Sequence, residues 1–167
     1  GNADFAAMPA GQTGEILVRG ANVMQGYFKQ PEETAKTITQ DGWLRTGDLG
    51  YMDEDGFIYV SGRIKELIIK GGENIAPREI DEALLEHPSV LEAAAFAVPC
   101  ENYGERVEAC IRFKDGADIA LDVLRAHCLS KLGKFKSPDQ IHVIGDLPKG
   151  PSGKVQRLKL YGLIYAA

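Results

Sequence analysis

The sequence predicts an α+β fold in two parts: a β-rich first third, and a compact unit in which helices cover a short β-sheet. Three observations predict it. Glycine-bounded apolar segments of strand length fill the first third of the chain. Beyond them, strand-like and amphipathic helical stretches alternate. Between the two patterns lies a glycine-containing turn, Ser61-Gly62-Arg63, which places a boundary near Ile64-Lys65 and gives 1–63 and 64–167 as the expected domains.

Each element has a local reason. Gly14-Glu15-Ile16-Leu17-Val18-Arg19-Gly20 reads as a strand between glycines. Residues 31–38 read as a short helix, with Pro31 in the first turn and Glu32 and Glu33 at the positive end of its dipole. Residues 47–52 and 57–60 read as strands joined by Asp53-Glu54-Asp55-Gly56, a hairpin turn; the distal glutamate of a calcium loop is missing. Residues 66–70 form a brief apolar strand. Residues 77–86 form a helix opened by Asn74 or Pro77, with Ile80, Ala83 and Leu84 on one face. Strands follow at 90–98 and 107–113. Then come a helix at 121–132 with Leu121, Leu124, Cys128 and Leu132 in register, a strand at 140–144 and a final helix at 155–165.

Composition excludes several classes. With 167 residues and 44% apolar content, the chain can make one ordinary domain, or a small domain plus a piece of another. A net charge of −5 without a basic block argues against nucleic acid as a partner. No apolar run approaches the roughly 20 residues that span a bilayer, and no secretory signal is visible. Cys100, Cys110 and Cys128 form no CxxC pair, and His87, His127 and His142 lack ligand spacing. The expectation is small core thiols, no metal site and a cytoplasmic location.

Three short motifs admit both a structural and a chemical reading. In Thr46-Gly47-Asp48 the aspartate can cap a tight turn, or its two oxygens can accept from a vicinal diol. Lys70-Gly71-Gly72-Glu73-Asn74 reads as a glycine pair between a strand and a helix, either a flexible connection or a close backbone approach to a ligand. Pro148-Lys149-Gly150-Pro151-Ser152-Gly153-Lys154 presents Lys154 from a Gly/Pro/Ser loop. It lacks the first glycine of a Walker phosphate loop, so Lys154 is a solvated surface lysine or the carrier of another chemistry.

Read in order, these motifs join others: Gly11-Gln12-Thr13-Gly14-Glu15-Ile16, Val18-Arg19-Gly20, Gly26-Tyr27, Gly42-Trp43-Leu44-Arg45-Thr46-Gly47-Asp48, Ser61-Gly62-Arg63-Ile64-Lys65-Glu66, Glu79-Ile80 and Pro151-Ser152-Gly153-Lys154-Val155-Gln156-Arg157. The series resembles the adenylate-forming superfamily of acyl-CoA synthetases, luciferases and peptide-synthetase adenylation domains, from Gly11 to about Leu160. Lys65 and the stretch around Lys70-Gly71-Gly72-Glu73-Asn74-Ile75 resemble the acyl-CoA synthetase branch.

The resemblance implies a carboxylate attacking the α-phosphate of ATP to give an acyl-adenylate and pyrophosphate, after which coenzyme A displaces AMP. It implies residues 1–63 as the end of a large N-terminal domain and 64–167 as a small C-terminal lid that rotates between the half-reactions. Asp48 would bind the ribose hydroxyls with Arg63 nearby, Lys65 would be the hinge, and Lys154 would bridge the α-phosphate and the attacking carboxylate. Lys70, Gly71 and Gly72 would line the path of coenzyme A, and Phe135 and Lys136 would contact its nucleotide. ATP and coenzyme A are then substrates, with Mg²⁺ accompanying ATP but held by none of these residues. The family's phosphate loop and acyl pocket lie outside this sequence. The large domain is therefore an expected partner, the chain alone is expected to be inactive, and its uncovered apolar surface is expected to favour self-association. The rival readings are the adenylation domain of another branch of the superfamily, peptide-synthetase-like or luciferase-like, and a stand-alone nucleotide-binding or interaction module on the lid fold.

Overall fold

The computed structural model describes residues 6–117 and 119–166. The outermost limits expected for the two domains, and the last residue of Tyr165-Ala166-Ala167, lie outside the described residues. The chain divides into two compact units, Gly1–Lys65 and Glu66–Ala167.

In the first unit, strands β1 (Gly14–Val18), β2 (Leu44–Met52) and β3 (Ile58–Arg63) form an antiparallel sheet in that order. Helix α1 (Pro31–Thr37) lies in the β1–β2 connection. It starts with Pro31, and Thr34 Oγ1 accepts from Tyr27 N at 2.9 Å while donating to Gln30 O at 2.8 Å, which fixes the entering chain. At the β2–β3 turn, Asp53 Oδ1 accepts from Asp55 N (3.1 Å) and Phe57 N (2.9 Å), and Gly56 takes φ +89°. The acidic tetrapeptide thus spends its first carboxylate on the turn itself. Both β2 pairings are irregular: the register with β1 shifts between Glu15 and Leu17, and the register with β3 shifts between Leu49 and Gly50. Gly50 tolerates the second shift because a Cβ there would sit 2.5 Å from Tyr59 O.

In the second unit, β4 (Ile68–Lys70), β5 (Glu73–Ile75), β6 (Val90–Cys100) and β7 (Gly104–Phe113) form a sheet in the order β5-β4-β7-β6. Strand β8 (Gln140–Val143) pairs parallel to β7. Helices α2 (Pro77–Leu85), α3 (Leu121–Lys136) and α4 (Leu160–Tyr165) complete the unit. The sheet is buried on both faces. Ile68, Ile75, Ile80, Leu84, Ile111, Leu124 and Cys128 share one cluster, while Ala94, Phe96, Val98, Cys110, Leu147 and Leu160 form the other. Neighbours in β6 and β7 go to opposite clusters, as the two-residue period of a strand requires. Each fully buried Ile or Leu contributes about 1.5–3 kcal/mol of transfer free energy.

Several boundaries differ from the expectations above. The glycine pair at 71–72 connects two strands rather than a strand and a helix, because Glu73–Ile75 folds back on Ile68–Lys70. Glu66 belongs to a 3-10 turn, Ile64–Glu66, and not to the strand. The 121–132 helix continues to Lys136 across a break at Gly133 (φ 71°, ψ 172°). The final helix begins only at Leu160: Val155 pairs with Lys149 in a β-bridge, and a 3-10 turn, Arg157–Lys159, intervenes. Apolar periodicity alone does not separate an extended stem leading into a turn from the first turn of a helix. No helix among the described residues is long and apolar enough to cross a membrane.

Candidate functional site

Asp48 and Arg63 face each other across β2 and β3. They are register partners, and Arg63 Nε lies 2.8 Å from Asp48 Oδ1. The β2 bulge region holds them from behind. Thr46 Oγ1 accepts from Asp48 N at 3.0 Å and donates to Ile16 O at 2.7 Å. Glu15 Oε1 accepts from Gly47 N at 3.2 Å, and Glu15 Oε2 accepts from Arg45 Nε and a terminal nitrogen at 3.1 and 3.0 Å. The result is a half-exposed carboxylate beside a more exposed guanidinium on a braced strand pair. Sequence reasoning assigned no role to Glu15, whose long-range partners are legible only in the fold.

Lys154 sits on a small hairpin. Gly150 N donates to Lys154 O at 2.8 Å, Gln156 N to Pro148 O at 2.7 Å, and Gly153 N to Gly150 O at 2.9 Å, with Gly153 at φ +77°. The stem entering the hairpin is tied down by Lys149, whose Nζ lies 2.6 Å from Glu92 Oε1 and 3.3 Å from Asp146 Oδ1. Hydrogen bonding to Glu92, then to Asp146, raises the Lys149 pKa. Lys154 itself is exposed, and among the described residues its ammonium makes no side-chain hydrogen bond or ion pair. Two neighbouring lysines thus have different fates, one consumed by carboxylates and one left available to an anion.

The glycine turn forms a third locus. Gly71 and Gly72 have φ of +58° and +85°, and Gly71 N donates to Tyr103 O at 2.8 Å. Lys70 points inward and is 5% exposed. Its Nζ donates to Phe135 O at 2.9 Å, lies 3.6 Å from Asp139 Oδ2, and sits 5.3 Å from the Phe135 ring centroid and 5.9 Å from that of Tyr103. A Cβ on Gly71 would meet Tyr103 at 3.4 Å and Phe135 at 3.9 Å, whereas one on Gly72 would meet open space. The fold therefore brings Lys70, Gly71 and Phe135 together and adds Tyr103, which sequence reasoning missed. Lys136 is held at 2.8 and 2.9 Å by both oxygens of Glu79. Asp48, Arg63 and Lys65 belong to the first unit, and the Lys154 hairpin and the glycine turn to the second.

Residues 79–154, from α2 to the tip of the lysine hairpin, match the AMP-binding enzyme C-terminal domain family. The chain is 60% identical over 157 residues to the sulfoacetate–CoA ligase of Cupriavidus necator, a match covering 94% of this chain and 31% of that protein. The chain belongs to the adenylate-forming superfamily. The 2-succinylbenzoate–CoA ligase of Geobacillus kaustophilus is 45% identical over 153 residues, 92% of this chain and 31% of that protein. Among solved structures, the o-succinylbenzoate CoA synthetase of Bacillus subtilis, in complex with an acyl-adenylate intermediate, superposes with a TM-score of 0.87 at 37% identity, covering 95% of this chain and 32% of that one. An amide bond synthetase from Marinactinospora thermotolerans gives a TM-score of 0.89 at 37% identity, with the same coverage. The chain thus spans about a third of the length of these superfamily members.

Proposed function

We propose that the chain is the C-terminal portion of an AMP-forming acid–CoA ligase. In this reading Glu66–Ala167 is the catalytic lid, and Gly1–Lys65 is the end of the large domain. The observation that carries it is the exposed ammonium of Lys154, unpaired among the described residues, on a hairpin whose entering stem is pinned by an ion pair. Adenylation brings two anions together. A carboxylate oxygen forms a bond to the α-phosphorus, the bond to the β-phosphate oxygen breaks, and pyrophosphate departs. A positive charge between the two anions offsets their repulsion as they close. The thiol of coenzyme A then attacks the acyl carbon and AMP leaves.

Asp48 supplies acceptor oxygens for the ribose hydroxyls of ATP, oriented by Arg63. Lys65, the last residue of its unit, supplies the hinge. The turn at Gly71-Gly72 and the ring of Phe135 line the path of coenzyme A. Lys70 acts there by holding the Phe135 backbone, and Lys136 reaches the nucleotide only by giving up Glu79. ATP arrives as its Mg²⁺ complex, with the metal carried by the nucleotide. The remainder of the large domain covers the exposed apolar residues of the first unit, Phe57, Ile58, Tyr59 and Val60. Without it the chain self-associates through them and performs no ATP–pyrophosphate exchange. Free cysteines suit a cytoplasmic setting.

The test is pyrophosphate release by the full-length ligase and its Lys154→Ala variant. Loss of one preorganised charge-stabilising group costs on the order of 10²–10³ in rate. Near-normal adenylate formation by the variant would make Lys154 a solvated surface lysine.

A further inference from the structure

Arg157 is spent entirely inside the protein. Its side chain is 13% exposed, and all three guanidinium nitrogens are engaged. Nε lies 3.2 Å from Glu66 Oε2; the two terminal nitrogens lie 3.3 and 2.7 Å from the two oxygens of Asp81; and one of them also donates to Ala95 O. Asp81 in turn accepts from Ala95 N at 2.6 Å. A single guanidinium thus joins the 3-10 turn Ile64–Glu66, helix α2 and strand β6 to the segment three residues beyond Lys154. Burial opposes its charge, but Asp81 and then Glu66 outweigh it and raise the Arg157 pKa.

The location gives the clamp its consequence. Lys154 stands on a Gly/Pro/Ser hairpin with few side chains of its own to order it. The entering stem is fixed by Lys149 on Glu92, and the leaving stem by Arg157. Glu66 is the first residue after Lys65, so the same guanidinium ties the lysine hairpin to the start of its unit.

We propose that Arg157 is the positioning residue for Lys154, setting where the hairpin is presented by clamping Glu66, Asp81 and β6 in one fork. This rests on the reading of Lys154 as the adenylation lysine. The fork matters because a guanidinium offers five N–H donors in a fixed plane and an ammonium does not. A lysine at 157 keeps the charge but cannot span Glu66, both oxygens of Asp81 and a carbonyl together. A displacement of about 1 Å at a reacting group costs roughly 10²-fold.

The experiment uses the full-length ligase and assays the half-reactions separately: acyl-adenylate formation in a single turnover, and thioester formation from preformed acyl-adenylate. Arg157→Lys is expected to slow adenylation by roughly 10²-fold while thioester formation stays near wild type. Added to Lys154→Ala it should cause no further loss, because the group it positions is gone. Glu66→Gln, milder at a partly exposed site, should show the same selectivity at smaller size and keeps the test open if Arg157→Lys fails to fold. Equal losses in both half-reactions, or a full additional loss on the Lys154→Ala background, would make Arg157 a fold anchor and overturn the proposal. Normal adenylation by Arg157→Lys would overturn it too. Normal adenylation by Lys154→Ala would instead remove the reading beneath it.

Discussion

Replacing Asp81 with alanine removes both carboxylate oxygens from a side chain that is 13% exposed. Three donors lose their acceptor: Ala95 N at 2.6 Å and the two terminal nitrogens of Arg157 at 2.7 and 3.3 Å. Breaking one side of a buried ion pair typically costs about 3–5 kcal/mol, because the other charge stays buried. Here Glu66 and Ala95 O still serve Arg157, so the lower end applies, about 3 kcal/mol. For a unit of this size that corresponds to a fall of roughly 12–24 °C in Tm. Burial pushes the Asp81 carboxyl above its ordinary value, and the Arg157 and Ala95 donors pull against that shift. Desolvation is therefore a large share of the balance, and the pair gains little over apolar packing. Replacing both partners, Asp81→Leu with Arg157→Met, should then destabilise less than Asp81→Ala alone. Urea unfolding followed by far-UV circular dichroism reads α2 and α3, which belong to the same unit. A loss below about 1 kcal/mol for Asp81→Ala would refute the reasoning, since water would then be replacing the carboxylate.

Tyr165→Phe removes the hydroxyl that donates to the fully buried Glu108 at 2.7 Å, leaving the carboxylate to Arg106 and His142; a loss of about 1–2 kcal/mol in urea unfolding is expected. Burial raises the thiols of Cys110 and Cys128 from 9.0 to about 11. The unfolded chain thus gives up these protons first: each thiol's contribution is intact below pH 9, is lost as pH rises to about 11 and amounts to about 2–3 kcal/mol, and Cys→Ser variants should flatten that alkaline decline. Gly71→Ala and Gly72→Ala should each lose about 1–2 kcal/mol, because both backbones are left-handed. Gly72→Leu should add little to that cost, since its side chain enters open space, but in the full-length ligase it should slow thioester formation while sparing adenylation.

Much of the fold was legible because local chemistry and global packing agree. Pro31 and Pro77 open helices where a first-turn proline fits, Asp53 and Gly56 make the turn they announce, and Ile80, Ala83 and Leu84 fall on the buried face of α2. The motifs likewise marked Asp48, the glycine turn and the Lys154 loop in one dimension. The misreadings came where a short segment has no periodicity of its own. Three residues suffice for β5 because β4 supplies the partner, and Val155 is held by Lys149 across a turn.

By itself the sequence determined the position of most helices and strands and the lysines, aspartate and glycines that carry the family likeness. Only the tertiary structure decided which charges are free. Lys70 is buried on Phe135 O, Lys136 is taken by Glu79 and Lys149 by Glu92, while the Lys154 ammonium is unpaired among the described residues. A sequence gives every lysine the same charge and the same reach. Its chemistry is set by the carboxylates and carbonyls that folding brings within about 3 Å, and those lie far away along the chain.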